Sequence, residues 1–336
     1  MATALHELLE SAWYRHHPLQ WLLWPLSLVY RAAVRARRSL YRLGWLETVD
    51  CGIPVIVIGN LTVGGTGKTP CVIWLAARLR ENGYRAAVVC RGYRGSAGSW
   101  PQHVTAHSDA ALVGDEAVLL AQRTGGPVAA GPDRVAALRL LLTNAAPDVV
   151  LSDDGLQHLR MARVMEIAVV DGERGLGNGL CLPAGPLREP SGRLGEVDAV
   201  VVNGGTWGGA DVLRADVVAT SVRHTRSGAV RTLADFRGRR VHAVAGIGHP
   251  QRFFSLLEAQ GLAVVPHALP DHALIRAQDL RYEEGVPVMI TEKDEVKCRD
   301  FAHDDVWCVV AELRFPPADG ARLVGAVLDR LGGAPR

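Results

Sequence analysis

Short apolar runs alternate with amphipathic stretches along most of the chain. The run at 53–58 is rich in β-branched residues, which predicts a strand buried on both faces. A glycine-rich segment and a helical pattern over about 71–82 follow it. Similar runs occur at 85–90, 127–130, 148–152, 167–171 and 199–203, and helical patterns lie around 116–123 and 134–144. Strands that alternate with helices predict an α/β fold with a parallel sheet.

A second α/β set follows a looser stretch at 204–235 that is rich in Gly, Thr and Arg. Its strand-like runs are at 241–247, 263–265, 286–290 and 306–310, and its helical patterns start at about 251 and 318. We therefore expect three parts, which are a separate segment over 1–48, a core domain over 49–235 and a smaller α/β domain over 236–336.

Composition narrows the class of protein. The 336 residues are 48% hydrophobic and 21% charged, which excludes disordered, collagen-like and polytopic membrane proteins. The formal net charge of +2 argues against a dedicated nucleic-acid binder, which would carry a basic excess. The six cysteines are scattered and form no CxxC pair, so they indicate reduced thiols rather than disulfides or a zinc site.

The first 50 residues combine arginines with tryptophans. Six arginines and no acid lie between Arg15 and Trp45. The mainly apolar run at 18–30 has 13 residues and contains Pro25, whereas a spanning helix needs roughly 20. One face of a helix would hold Arg31, Arg35, Arg38 and Arg42. Such a helix suits the surface of an anionic membrane, and the alternative is a solvated face on a helix packed against the domain.

A glycine-rich loop between a predicted strand and a predicted helix ends in Lys68 and Thr69. Its sequence, Gly64-Gly65-Thr66-Gly67-Lys68-Thr69, has the setting of a phosphate-binding loop. Glycines let backbone N–H groups turn inward, and the following helix adds the positive end of its dipole. Lys68 would reach the β- and γ-phosphates of a nucleotide, and the Thr69 hydroxyl would hold Mg²⁺. The sequence thus predicts a nucleoside triphosphate site, with a glycine turn of no function as the alternative.

Two classes of NTPase lack support. A GTPase needs a base-reading [NT]KxD motif, and in the nearest candidate, at 291–294, the lysine stands one position late. ParA/MinD-like ATPases carry a second lysine just before the glycine pair, where this chain has Val63.

Paired acids occur at two places beside predicted elements. Asp153 and Asp154 follow the strand-like run at 149–151, where a Walker-B metal ligand would sit, although a simple turn after a strand is the alternative. Asp115 and Glu116 open a helical pattern, so helix capping competes with a role in chemistry.

Three further motifs contain residues that could take part in chemistry, and each of them alone is weak evidence for a functional site. Asp271 and His272 form a loop pair that could accept the proton of a hydroxyl, although a lone histidine is more often structural. The segments at 91–95 and 291–294 each follow a strand, where α/β enzymes bind ligands.

Taken together and in order, these motifs resemble the tetraacyldisaccharide 4'-kinase family of lipid A biosynthesis. The resemblance rests on GNLTVGGTGKTP (59–70), RGYRG (91–95), GDE (114–116), DDGLQH (153–158), LPAGPLREP (182–190), PDH (270–272) and TEKDEVK (291–297). It implies transfer of the γ-phosphate of ATP to the 4'-hydroxyl of a tetraacyldisaccharide 1-phosphate, which forms lipid IVA. It also implies a P-loop NTPase-like core, a smaller C-terminal α/β domain and an N-terminal membrane-associating helix, on the cytoplasmic face of the inner membrane.

The resemblance also implies roles for single residues. The ATP loop would span Thr62, Val63, Gly64, Gly65, Thr66, Gly67, Lys68 and Thr69, with Thr69 on Mg²⁺. Asp115 would be the general base and His272 its partner from the second domain. Glu116 is implied as a metal ligand, Asp153 and Asp154 as Walker-B-like acids, and Tyr93 and Arg188 as neighbours of the nucleotide or substrate.

The implied mechanism is direct phosphoryl transfer that requires closure of the two domains. The expected partners are the lipid disaccharide and an anionic membrane surface, with no nucleic acid and no obligatory protein partner. The alternatives are a partitioning-type ATPase and a soluble small-molecule kinase or ligase.

Overall fold

The computed structural model describes residues 2–15, 17–209, 211–271, 273–283, 285–298 and 305–332. Its helices are α1 (Ala2–Tyr14), α2 (Leu19–Arg42), α3 (Lys68–Glu81), α4 (Ala110–Val113), α5 (Asp115–Thr124), α6 (Arg134–Asn144), α7 (Pro250–Ala259), α8 (Glu292–Cys298) and α9 (Pro317–Leu331). Its strands are β1 (Val55–Gly59), β2 (Ala86–Cys90), β3 (Gln102–Val104), β4 (Val128–Ala130), β5 (Val149–Asp153), β6 (Met165–Asp171), β7 (Ala199–Asn203), β8 (Leu213–His224), β9 (Val230–Arg231), β10 (Arg240–Ala245), β11 (Ala263–Ala268), β12 (Val288–Thr291) and β13 (Val306–Arg314).

Within these ranges the strands form one sheet in the order β11-β10-β12-β13-β8-β7-β6-β1-β5-β2-β4-β3, with β9 added beside β8. Most neighbours are parallel, as the alternation of strands and helices predicts. β1 lies between β5 and β6, and its side chains alternate between the two faces, since Ile56 and Ile58 join one hydrophobic cluster and Val55 and Val57 the other. The loop after β1 therefore starts from the centre of the sheet.

The looser stretch at 204–235 contains a strand that the apolar pattern did not reveal. β8 is twelve residues long, runs parallel to β7 and pairs along most of its length with β13 in the antiparallel direction. Its side chains are mostly half-buried and its sequence mixes polar with apolar residues, so it lacks the continuous apolar run of β1. It connects the strands of the N-terminal half to those of the C-terminal half.

The hydrophobic clusters can be compared with the expected boundary between a core domain and a smaller C-terminal domain. Residues of β10, β12 and α7 form clusters of their own in the C-terminal half. Leu323 and Val327 of α9, however, pack with Val72 and Leu75 of α3 in the cluster of the N-terminal half. The boundary near residue 235 stays a prediction.

α2 packs against the N-terminal half through its polar side. Ser27 donates a hydrogen bond to the carbonyl oxygen of Cys181 at 2.6 Å, and the Tyr30 hydroxyl donates to that of Arg188 at 3.0 Å. Arg38 and Arg42 both pair with Glu196, at 2.5 and 2.7 Å. The arginine face lines a groove of about 480 Å³ between α2 and the segment at 179–196.

The face of α2 away from the protein is apolar. It exposes Trp21, Leu22, Leu26 and Val29. In the described ranges no helix combines the length and the hydropathy that crossing a bilayer requires.

Candidate active site

The phosphate loop connects β1 to α3 and turns on two glycines in the left-handed region. Gly64 has a φ of 102° and Gly67 of 95°, values that residues with a side chain rarely adopt. A Cβ on Gly67 would also lie 2.4 Å from Nδ2 of Asn203. That amide donates to the carbonyl oxygen of Thr66 at 3.0 Å, so the end of β7 braces the loop. Because α3 begins at Lys68, its first N–H groups face the loop.

The two residues before the glycines are held by the LPAGPLREP motif. The N–H of Val63 donates to the carbonyl oxygen of Pro186 at 2.9 Å, and buried Thr62 forms an antiparallel bridge with Leu187. The N–H of Val63 is therefore engaged within the protein, and both residues anchor the loop. Their contact with ATP stays a prediction.

Asp153 ends β5, directly beside the central strand. In the parallel pairing of β1 with β5 it lies opposite Ile58, which precedes the phosphate loop. Its Oδ2 accepts a hydrogen bond from the Thr69 hydroxyl at 3.1 Å, and its buried Oδ1 has no hydrogen-bond partner among the described residues. Burial, together with the nearby charge of Glu116, raises the pKa of Asp153 to about 7. One oxygen of Asp153 is thus without a hydrogen-bond partner in the described ranges, and the role of this side chain as a metal ligand stays a prediction.

Asp154 faces cations instead. Both of its oxygens accept hydrogen bonds from Nη1 of Arg188 at 2.9 Å, and Nζ of Lys68 is 3.7 Å from Oδ1. Burial alone would raise the pKa of Asp154, but the charges of Lys68 and Arg188 outweigh burial and hold this pKa well below its ordinary value. Arg188 of the LPAGPLREP motif is thereby placed beside the phosphate loop through Asp154.

Asp115 and Glu116 stand at the first turn of α5, next to the RGYRG motif. Gly114 has a φ of 92°, and a Cβ there would lie 2.6 Å from the carbonyl oxygen of Tyr93. Oε1 of Glu116 is 2.5 Å from Nζ of Lys293 on α8. Burial would raise the pKa of Glu116, but Lys293 and then Lys68 outweigh it and lower the pKa. The two acids of α5 therefore lie near one lysine of α3 and one lysine of α8.

Loops of the C-terminal half approach the phosphate loop from the other side. Nη1 of Arg94 in the RGYRG motif donates to the carbonyl oxygen of Asp271 at 2.7 Å. A Cβ on Gly248 would lie 3.2 Å from Oδ2 of Asp271 and 3.8 Å from the backbone nitrogen of Gly65. His272 lies outside the described residues, so its predicted role stays a prediction.

Tyr93 is 44% exposed. The guanidinium groups of Arg91 and Arg94 lie 5.9 and 5.8 Å from the centre of its ring. The ring is therefore held at the surface by two cations.

A cavity of about 550 Å³ opens between the phosphate loop, α5 and the C-terminal half. Its charged lining consists of Lys68, Glu116, Glu173, Arg252, Glu292 and Lys293. Its apolar lining includes Ile73, Leu119, Val217, Phe253, Leu256 and Val309.

Sequence reasoning missed two residues that support this site. Asn203 ends the apolar run VVVN, and a polar residue at the carboxyl end of a parallel strand is the pattern that could have revealed it. Arg252 of α7 donates to the backbone and side-chain oxygens of Asn203 at 3.1 and 3.2 Å, and it reaches Oδ2 of Asp171 at 3.3 Å. No local pattern marks Arg252, because its partners lie about 50 and 80 positions away.

Comparison with known proteins agrees with this geometry. The family model for tetraacyldisaccharide-1-P 4'-kinase matches residues 19–330. The chain belongs to this family. The resemblance and the fold class predicted from the sequence are thereby confirmed.

Individual relatives of the kinase family match over most of the chain. The tetraacyldisaccharide 4'-kinase of Nitrosococcus oceani is 50% identical over 312 residues, which are 93% of this chain and 92% of the relative. That of Alkalilimnicola ehrlichii is 50% identical over 321 residues, or 94% and 95% of the two chains. The crystal structure of "apo" form LpxK from Aquifex aeolicus in complex with ATP has a TM-score of 0.79 at 26% identity, and covers 93% of this chain and 99% of that one.

Proposed function

We propose that this chain transfers the γ-phosphate of ATP to the 4'-hydroxyl of a tetraacyldisaccharide 1-phosphate, which yields lipid IVA. Membership of the 4'-kinase family supports this reaction. The observation that carries it is the placement of Lys68, Thr69, Asp153 and Asp154 around the start of α3. These groups are the parts that phosphoryl transfer needs, namely a phosphate cradle, a cation and carboxylates for a metal ion.

ATP fits the loop and the cavity beside it. Backbone N–H groups of the loop, the start of α3 and Nζ of Lys68 would hold the phosphates. The apolar part of the 550 Å³ cavity has room for the purine and ribose. A relative in the same family, LpxK from Aquifex aeolicus, was crystallised in complex with ATP.

The residues present fit a magnesium ion. Mg²⁺ prefers oxygen ligands, and Oδ1 of Asp153 is a buried carboxylate oxygen with no hydrogen-bond partner in the described part of the chain. The Thr69 hydroxyl lies next to it. Magnesium held there supplies charge neutralisation on the phosphate oxygens. Glu116 is proposed as a further ligand, and its contact with Lys293 keeps the carboxylate ionised.

Asp115 is proposed as the general base. It accepts the proton of the 4'-hydroxyl while Lys68 stabilises the negative charge on the transferred group. The contact of Arg94 with Asp271 and the approach of Gly248 to Gly65 support a site to which both halves contribute. Closure of the two halves over the substrates would exclude water from the transferred phosphoryl group.

We also propose a peripheral position on the cytoplasmic face of the inner membrane. The exposed apolar face of α2, with Trp21 and Leu22 near its start, would enter the acyl-chain boundary. The arginines on the opposite face line the groove at 179–196, near the headgroup region. This arrangement would keep the kinase where its lipid substrate lies.

The experiment that tests the reaction uses radiolabelled ATP and a lipid A disaccharide precursor. We expect the label in the lipid. Asp115→Ala should lower turnover by about a thousandfold while ATP still binds, because general-base catalysis contributes about 10²–10⁴-fold.

Label released only as free phosphate with every glycolipid would favour the partitioning-type ATPase. Label on a soluble alcohol, with membrane partitioning unchanged after deletion of residues 1–45, would favour the small-molecule kinase.

A further inference from the structure

A buried lysine of the C-terminal half lies beside the proposed base. Lys297 lies in the last turn of α8, and its side chain is 6% exposed. Its Nζ is 2.7 Å from Oδ1 of Asp294 and 3.9 Å from Oδ2 of Asp115. Asp294 is fully buried, and Asp115 is also buried. Burying an ammonium group costs free energy unless anionic partners offset it. Lys297 therefore links α8 electrostatically to the start of α5.

The position of this ammonium group is set within its own half of the molecule. Oδ2 of Asp294 accepts hydrogen bonds from the N–H of Gly246 at 3.1 Å and from the Thr291 hydroxyl at 2.7 Å. The other oxygen of Asp294 is thus left facing Lys297. A Cβ on Gly246 would lie 3.1 Å from that oxygen and 3.4 Å from Nζ, so glycine leaves the pair undisturbed. Asp294 therefore fixes where Lys297 can stand.

Asp115 faces this fixed charge with one oxygen. Its Oδ1 accepts a hydrogen bond from the N–H of Glu116 at 2.8 Å, and its Oδ2 is the oxygen nearest Lys297. Lys293 stands one helical turn before Lys297 on α8 and contacts Glu116. The two neighbouring acids of α5 thus face the two lysines of the TEKDEVK motif, and the charge of Lys293 acts on Asp115 as well as on Glu116.

We propose that Lys297 is a positioning residue for Asp115, and this role rests on the proposed function. Attraction across 3.9 Å orients the carboxylate about its hydrogen bond to the backbone. The orientation presents the carboxylate to the hydroxyl whose proton it accepts. Lys297 and Asp294 belong to the C-terminal half, whereas the phosphate loop belongs to the N-terminal half. The orientation of the Asp115 carboxylate is therefore controlled from the half that does not carry the phosphate loop. The competing role is purely structural, with Lys297 serving only to neutralise Asp294.

The first test replaces Lys297 by methionine, which keeps the length of the side chain and removes its charge. We expect the kcat for transfer of label from ATP to the lipid disaccharide to fall at least about tenfold. The KM for ATP should stay within about twofold, because Lys297 acts on the base rather than on the phosphates. Lys297→Arg, which keeps the charge, should retain more kcat than Lys297→Met.

A double variant separates positioning from folding. Lys297→Met with Asp294→Asn removes both charges of the buried pair, so its Tm should recover relative to Lys297→Met alone. Under the proposal its kcat stays low, because Asp115 still lacks the ammonium. Glu295→Gln is the matched control, since Glu295 also lies buried on α8 but pairs with Arg223 at 2.6 Å. It should keep kcat within about twofold.

Two results would overturn the proposal. One is a double variant that regains both the wild-type Tm and the wild-type kcat, and the other is Lys297→Met with unchanged kcat. A wild-type protein that places no label in the lipid overturns the proposed function itself, and the role of Lys297 falls with it.

Discussion

Asp153 and Asp154 are consecutive, yet their carboxylates face opposite surroundings. Burial and the charge of Glu116 raise the pKa of Asp153 to about 7, although its hydrogen bond from Thr69 at 3.1 Å acts in the opposite direction. Asp154 has a φ of 51° and turns toward Arg188 and Lys68, which lower its pKa. The left-handed backbone at Asp154 sends the two side chains in different directions. Asp153 therefore has one buried oxygen without a hydrogen-bond partner in the described part of the chain, whereas Asp154 contacts two cations.

This division predicts different phenotypes for the two acids. Asp153→Asn should raise the Mg²⁺ concentration for half-maximal activity at least about tenfold, because a charged ligand becomes neutral. Asp154→Asn should lower kcat but leave that concentration within about twofold, because Lys68 and Arg188 lose their shared partner. Initial rates of both variants, measured at a series of Mg²⁺ concentrations, check these two expectations. The reverse pattern would place the metal ion on Asp154.

Asn203 is predicted to support ATP binding without touching the nucleotide. Asn203→Ala removes the hydrogen bond to the carbonyl oxygen of Thr66, which is worth about 1 kcal/mol, or roughly a fivefold rise in the Kd for ATP. Isothermal titration calorimetry measures that Kd. Asn144→Ala is the control, since Asn144 is exposed at the end of α6 and should leave the Kd unchanged. An unaltered Kd in Asn203→Ala would contradict the bracing role.

The outward face of α2 is predicted to hold the protein on lipid. Trp21 and Leu22 are 69% and 76% exposed, and burying such a side chain is worth about 1.5–3 kcal/mol. Changing both to Gln should reduce partitioning onto anionic vesicles by at least about tenfold, while ATP affinity is kept. Vesicle co-sedimentation measures the bound fraction. Val230→Gln, at a site 65% exposed on β9, should bind vesicles as the wild type does.

His158 is predicted to make stability sensitive to acid. Burial, with Arg134 nearby, lowers its pKa from 6.5 to about 4 in the folded protein. As pH falls from about 6.5 to about 4, the unfolded chain binds this proton before the folded one does, so the free energy of unfolding decreases. His158→Asn should reduce that decrease by about 3 kcal/mol.

Urea unfolding at several pH values from 7.5 to 4 checks this prediction. His107→Asn is the control, because His107 is exposed and its replacement should leave the pH dependence as in the wild type. If the free energy of unfolding fell with pH equally in His158→Asn and in the wild type, His158 would not be the cause of the loss of stability in acid.

Much of the nucleotide site could be predicted because its parts are consecutive in the chain. Apolar β-branched residues at 53–58, then glycines, then Lys68 and Thr69 define a strand, a turn and a helix start by local rules alone. Asp153 and Asp154 follow an apolar run in the same way, and the parallel sheet then brings them beside the loop. The ordered set of motifs was sufficient to recognise the family.

The orientation of α2 shows where periodicity stops being informative. The spacing of its arginines correctly placed them on one face, but either face of a helix can turn to solvent. Tertiary contacts of Ser27, Tyr30 and Arg38 hold one side of α2 against the protein and leave the apolar face exposed. The other arginines of the stripe, Arg31, Arg35 and Arg42, are exposed along the groove beside it. β8 was missed for a related reason, because a half-buried strand between two halves of a sheet has no continuous apolar run.

By itself, the sequence determined the α/β class, the phosphate loop and the acids that flank it, because neighbours in the chain control periodicity and backbone turns. Only the tertiary structure decided which distant groups meet there. Asn203 reaches Thr66 across 137 positions, and Lys297 reaches Asp115 from another half of the sheet. Such contacts depend on strand order and on the packing of helices over the sheet, which no local pattern encodes.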